Sequence, residues 1–138
     1  MKWRVIIPGE PLSWNHAYRD VFIPRADGGT VRGRAKTPEC VAYQQTVALI
    51  TAASRPTGWL PGDWIAISAC LFMRRARDGD NTLKVLLDAV ATGLGVNDKR
   101  FLPSIACIPA GVPRGEERVE LTLADLSADH CGHDKPAA

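Results

Sequence analysis

Trp64-Ile65-Ala66-Ile67-Ser68-Ala69-Cys70-Leu71-Phe72-Met73 leads directly into Arg74-Arg75-Ala76-Arg77-Asp78-Gly79-Asp80-Asn81-Thr82-Leu83-Lys84-Val85-Leu86-Leu87-Asp88. The first ten residues are apolar at odd and even positions alike, the pattern of a central strand covered on both faces. The chain then turns polar and offers Asp80 or Asn81 as a helix cap. Leu83, Leu86, Leu87 and Val90 follow at helical spacing. This helix is expected to reach about Thr92 and to end at Gly93. Asp80, Lys84 and Asp88 fall on its other side at i, i+4 and i+8.

Working outward, Trp3 to Pro8 reads as a strand closed by Pro8-Gly9. Pro11 to Arg19 has no period and mixes aromatics with groups able to bind phosphate or bases. It suits a binding loop and a surface loop with a buried Trp equally. Val21 to Ile23 is a short strand, and Asp27-Gly28-Gly29 a turn. In Thr30 to Lys36 the cations Arg32, Arg34 and Lys36 recur at period two, so a strand there turns all three to one side. Such a stripe suits a phosphate backbone and also protects a sheet edge.

Thr37-Pro38-Glu39 is a helix start, with cap, proline at the first helical position and an acid in the first turn. The helix is expected to run to about Ala53, with Val41, Val47, Ala48 and Ile50 inward and Gln44 and Gln45 outward. Ser104 to Pro109 and Arg118 to Ala124 read as two strands, joined as a hairpin by a glycine- and proline-containing loop. Residues 127–138 have no period and read as a disordered tail, which also carries the His130-Cys131-Gly132-His133 cluster.

Composition sets broad bounds. The 138 residues fit one domain, and 46% hydrophobic with 23% charged residues is ordinary for a globular chain. The longest apolar run has ten residues, where a membrane span needs about 20. The apolar run after Met1-Lys2-Trp3-Arg4 is too short for a signal peptide, and a cytoplasmic protein is expected. Cys40, Cys70, Cys107 and Cys131 are far apart, which predicts four reduced thiols. Net charge is +2, unevenly spread. Residues 1–77 hold eleven Lys/Arg against five Asp/Glu, and residues 78–138 hold six against ten. A basic surface for phosphates beside an acidic metal pocket would produce that asymmetry.

Asp78 and Asp80 are two apart, so in extended chain they point the same way and repel unless a cation lies between them. Mg²⁺ takes such oxygen ligands together with waters and substrate phosphate. Asp98, on the segment returning from the helix, closes the site from the far side. Lys84 reaches a non-bridging phosphate oxygen, and Asn81 positions a carboxylate or a water. Asp88 reads as the partner that orients Lys84. The same D-x-D-N pattern also makes a good helix cap, and Lys84 with either acid also makes a surface ion pair.

Asp78-x-Asp80-Asn81-x-x-Lys84-x-x-x-Asp88-Ala89, with Asp98 downstream, resembles the RusA family of Holliday junction resolvases. Pro11-Leu12-Ser13-Trp14-Asn15, Arg32-Gly33-Arg34, Ala42-Tyr43 and Glu120-Leu121-Thr122-Leu123 extend the likeness over roughly residues 3–126. The resemblance implies a single α/β (α+β) domain over 1–126, with a mixed sheet and two main helices. It implies an endodeoxyribonuclease, often carried by prophages, that is a homodimer dependent on Mg²⁺, with Mn²⁺ as a substitute. Paired nicks in branched DNA would leave 5′-phosphate and 3′-hydroxyl ends. Asp78, Asp80 and Asp98 become the metal acids and Lys84 the essential lysine. Arg19, Arg32, Arg34, Lys36, Arg74, Arg75 and Arg77 are the candidate DNA contacts. Asn97 stands where the family often has a further acid, and Gly79 is small enough to loosen the strand exit. A non-catalytic DNA-binding module and a nuclease for flaps or forks are the competing readings.

Overall fold

A computed structural model describes residues 1–75 and 79–126. The predicted tail and its His-Cys-Gly-His cluster lie outside the described residues, as do Arg77 and Asp78. The elements are strand β1 (Lys2–Pro8), the one-turn helix α1 (Trp14–Ala17), strands β2 (Tyr18–Pro24) and β3 (Thr30–Lys36), and helix α2 (Pro38–Ser54). Strand β4 (Trp64–Phe72), helix α3 (Gly79–Leu94), a 3₁₀ turn (Asp98–Arg100), strand β5 (Phe101–Cys107) and strand β6 (Arg118–Leu126) follow. The four-stranded sheet has the order β1-β6-β4-β5, and β2 and β3 form a separate two-stranded ribbon. β4 runs parallel to β5 and antiparallel to β6, so the sheet is mixed and the class is α+β, as expected.

One sheet face makes the core. Val5, Ile65, Ile67, Leu71, Val119, Leu121 and Leu123 alternate inward along their strands and are fully buried. The register sets them side by side, Val5 opposite Leu121 and Leu121 opposite Ala69. Leu83, Leu86, Ala89, Val90 and Leu94 of α3 join that cluster, which confirms the expected inner side of the helix. The other face of β4 is not fully covered: Trp64, Ala66, Ser68, Cys70 and Phe72 keep intermediate exposure. The Arg118 guanidinium lies over the Phe72 ring at 3.8 Å, and Arg4 and Arg118 both pair with Glu120. Long charged side chains shield apolar surface with their stems, which is why the strand reads as covered on both faces.

The helix boundaries shift from those expected. α2 begins as predicted, with the Thr37 Oγ1 accepting from the Cys40 N–H at 3.2 Å and Pro38 in the first turn. Its inner side is Cys40, Val47 and Thr51, while Val41 is exposed. Gln44 turns partly inward because its Nε2 donates to the Val85 carbonyl at 3.0 Å, tying α2 to α3. α3 starts at Gly79 and runs through Gly93 to Leu94. Gly93 does not end it. A Cβ there would lie 2.6 Å from the Ala48 carbonyl oxygen, so the glycine permits close approach of α2. Gly95, at φ +68°, ends the helix. Its N–H donates to Thr92 O and the Val96 N–H to Ala91 O, satisfying the last carbonyls.

Two further expectations are corrected. β5 and β6 are not a hairpin, because β4 lies between them, and β5 starts at Phe101 and not at Ser104. The thiols are not all reduced, because Cys70 and Cys107 form a disulfide. A register shift after Ala69 sets Cys70 opposite Cys107 with their Cα atoms 4.7 Å apart, a juxtaposition that depends on strand pairing and leaves no mark in cysteine spacing. Cys40 remains a buried free thiol.

Candidate active site

α3 and the 3₁₀ turn carry the candidate acids and the lysine. Asp80 sits in the first helical turn, and Lys84 and Asp88 follow at one-turn intervals, all three solvent-accessible. Asp98 opens the 3₁₀ turn, which Asn97 caps by accepting from the Lys99 N–H at 2.9 Å. Asn97 therefore has a local structural duty. Lys84, Asp88 and Asp98 together line a cavity of ≈ 320 Å³, with Trp14, Leu87 and Phe101 among its walls. Asp80 and the half-buried Asn81 lie at the start of the same helix and do not line it. Gly79, expected to loosen the strand exit, is instead buried. A Cβ on it would meet Ile105 Cδ1 at 2.7 Å, so its size seats the start of α3 against β5.

Electrostatics tie two acids together. Partial desolvation, and next the nearby Asp98 carboxylate, push the Asp88 carboxyl above its ordinary value, while Lys36 opposes the shift. The cation acting on Asp88 is thus Lys36 of β3, and no ion pair joins Lys84 to Asp88 among the described residues. Lys84 instead sets its Nζ 6.0 Å from the Trp14 ring centroid. The Trp14 and Tyr18 rings are 4.4 Å apart, and the Arg34 guanidinium lies 5.7 Å from the Tyr18 ring. A ladder of cation, two aromatic rings and cation therefore runs from the ribbon to the cavity.

The ribbon turns Arg32, Arg34 and Lys36 to one side, all exposed. Their charge is partly offset. Arg32 pairs with Asp20 across the ribbon, and that bond holds the Asp20 carboxyl below its usual value. Lys36 donates to Gln44 Oε1 at 2.8 Å. Arg19 is exposed on β2. Arg74 and Arg75 are exposed where β4 ends, and Arg74 lies 3.7 Å from Glu117, next to the chain between β5 and β6.

Among the described residues no group of three or more His, Cys, Asp or Glu side chains comes together as a metal cage. The donors that do approach, Asp88 and Asp98, are carboxylates close enough for Asp98 to raise the pKa of Asp88. That is the oxygen chemistry a Mg²⁺ ion takes with one or two protein ligands. Trp14 and Tyr18 are the site residues that sequence reasoning left unassigned. Their four-residue spacing is the signal, and it acquires meaning only once α1 sets Trp14 beside Lys84, with the Tyr18 ring of β2 stacked against it.

No family model matches the chain, and no curated protein matches it. Among solved structures, 2C-methyl-D-erythritol 2,4-cyclodiphosphate synthase from Plasmodium vivax aligns over 89% of this chain and 95% of its own, at 6% identity and a TM-score of 0.33. A likeness at that level carries no argument about fold or chemistry.

Proposed function

We propose that the chain is a Mg²⁺-dependent, structure-selective endodeoxyribonuclease that resolves four-way DNA junctions, as its resemblance to the RusA family implies. The observation that carries this reading is the cavity shared by Lys84, Asp88 and Asp98 beside a ribbon that presents Arg34 and Lys36. Basic side chains bind the backbone without regard to sequence, and a phosphate held by them would be offered to the acids of the cavity.

Asp80 and Asp98 would hold the ion, together with Asp78, which lies outside the described residues. When bound, the ion would polarise the phosphate and make a water easier to deprotonate for attack. The water oxygen would bond to phosphorus, giving up a proton to solvent, as the P–O3′ bond breaks, and the departing O3′ would take a proton from solvent, leaving a 5′-phosphate and a 3′-hydroxyl. Lys84 donates to a non-bridging oxygen and offsets the charge that builds there. Asp88, which lines the same cavity as Asp98, would offer a second carboxylate to a cation there. Two opposed nicks require two such sites, which a two-fold homodimer provides. No described helix is long and apolar enough to cross a membrane. From the resemblance we also propose a cytoplasmic setting, with prophage genomes as a typical carrier.

The test is one assay with a synthetic four-way junction, a flap, a fork and a linear duplex, each in Mg²⁺ and in Mn²⁺. Paired symmetric nicks confined to the junction are expected. Cutting of flaps or forks alone would make the chain a nuclease for those branches. Tight junction binding with no nicking would make it a non-catalytic DNA-binding module.

A further inference from the structure

We infer that Trp14 is a stacking platform for one unstacked nucleobase beside the scissile phosphate, and so a determinant of selectivity for branched over linear DNA. The inference rests on the nuclease reading above and adds to it the part of the substrate that the cavity holds.

The cavity is not only acidic. Lys84, Asp88 and Asp98 share it with the Trp14 ring, Leu87 and the ring of Phe101, itself only 6% exposed. A site for metal and phosphate alone has no use for an apolar wall. A nucleotide does, because it joins a flat apolar base to an anionic phosphate within a few bond lengths. Base–aromatic stacking is tolerant of sequence, since every base has a π-face.

Trp14 is also placed unlike the buried Trp59. Trp59 is buried, packs edge-to-face on Trp3 at 5.3 Å and donates its indole N–H to Asp125 at 2.6 Å. Trp14 stays half-exposed, backed by Tyr18 and by the small cluster around Ala17, Cys40 and Val85. Its short helix is held firmly. Thr37 Oγ1 donates to the His16 carbonyl at 3.2 Å, the Thr37 N–H donates to Ala17 O at 2.8 Å, and Ser13 Oγ bonds His16 Nδ1 at 2.7 Å. A ring on a rigid ledge, beside a lysine aimed at the same space, receives a base with little ordering cost.

The selectivity follows from energetics. In a linear duplex a base must leave its stack to reach Trp14, and that unstacking opposes binding. At a branch point the flanking bases are already unstacked or easily become so.

The test uses the 138-residue chain and a four-way junction carrying single abasic nucleotides or single 2-aminopurines stepped past the cut site, in EDTA so that binding is read without cleavage. Expected are an affinity loss of about 10-fold at one abasic position and a quench of 2-aminopurine at that same position. Trp14→Phe should retain both effects, and Trp14→Leu should lose both while melting within a few degrees of the parent. Uniform tolerance of abasic nucleotides by the parent chain overturns the inference even if Trp14→Leu fails to fold. So does a quench that survives in a folded Trp14→Leu. Junction nicking in Mg²⁺ with uniform abasic tolerance sinks the stacking role and leaves the nuclease standing. A position-specific abasic effect with no nicking does the reverse.

Discussion

The Lys84 ammonium faces the Trp14 ring across one corner of the cavity, 6.0 Å from its centroid, while Asp88, one turn along α3, answers to Lys36 and Asp98. Lys84 is therefore held by an aromatic face and not neutralised by its helix neighbour. Its positive charge remains at the wall of the cavity. Lys84→Ala should lower junction nicking by about 10²–10³-fold, the usual loss for one charge-stabilising group. Junction affinity should change little, since the substitution removes at most one cation that meets a phosphate. Single-turnover cleavage set beside gel-shift binding reads the two separately.

Asp80→Asn should abolish nicking and leave junction binding intact. The side chain sits in the first turn of α3, is exposed, and does not line the cavity with Trp14. The exchange keeps its volume and removes its charge. Retained cleavage in Mg²⁺ would remove Asp80 from the metal set.

Replacing Arg34 and Lys36 by Gln should reduce the steepness of the log K against log salt plot by about 2, roughly 0.9 for each phosphate no longer neutralised. The two side chains stand on one side of β3. An unchanged slope on the same junction would show that the ribbon does not meet DNA.

The Asp20 carboxyl should titrate below the ordinary aspartate range, because the Arg32 side chain donates to it. A depressed folded pKa contributes stability above the unfolded value and loses it as pH falls through the folded one. Ribbon stability should therefore decline only on the acid side. Arg32→Gln should return the Asp20 titration, followed by carboxyl-carbon NMR, toward the ordinary value. An Asp20 titration unmoved by Arg32→Gln would contradict the pairing.

Gly93→Ala should destabilise the fold by about 1–3 kcal/mol, the range for overpacking. The new Cβ would lie 2.6 Å from a backbone oxygen and 2.8 Å from Thr51 Cβ, so α2 and α3 must separate. Alanine's better helix propensity, worth about 1 kcal/mol, does not offset that. Equilibrium urea unfolding measures the difference, and an unchanged midpoint would mean that the helices part at no cost.

Elements marked by local chemistry were legible in the sequence. Thr37-Pro38 announces α2, and the alternation of Val119, Leu121 and Leu123 announces β6 with its inner face. What depends on distant neighbours was not. Gly93 looks like a stop signal until Ala48 is seen against it. The loop between β5 and β6 looks like a hairpin because nothing in those residues reveals that β4 intervenes. At the site, Lys84 and Asp98 stood out through charge and spacing. Trp14 did not, because an aromatic residue in an aperiodic stretch becomes a cavity wall only through the docking of α1.

The Cys70–Cys107 bond closes a covalent ring. The chain from Cys70 to Cys107 includes the end of β4, all of α3 and the 3₁₀ turn, and so Asp80, Lys84, Asp88 and Asp98. A protease that cuts the backbone once inside this ring, for example next to Arg74 or Arg75, would open it without releasing a fragment. The two pieces would run as one species until a reductant is added. A single nick beside the candidate catalytic helix would thus pass unseen in a non-reducing gel, while the helix stayed tethered to the sheet through its C-terminal end alone.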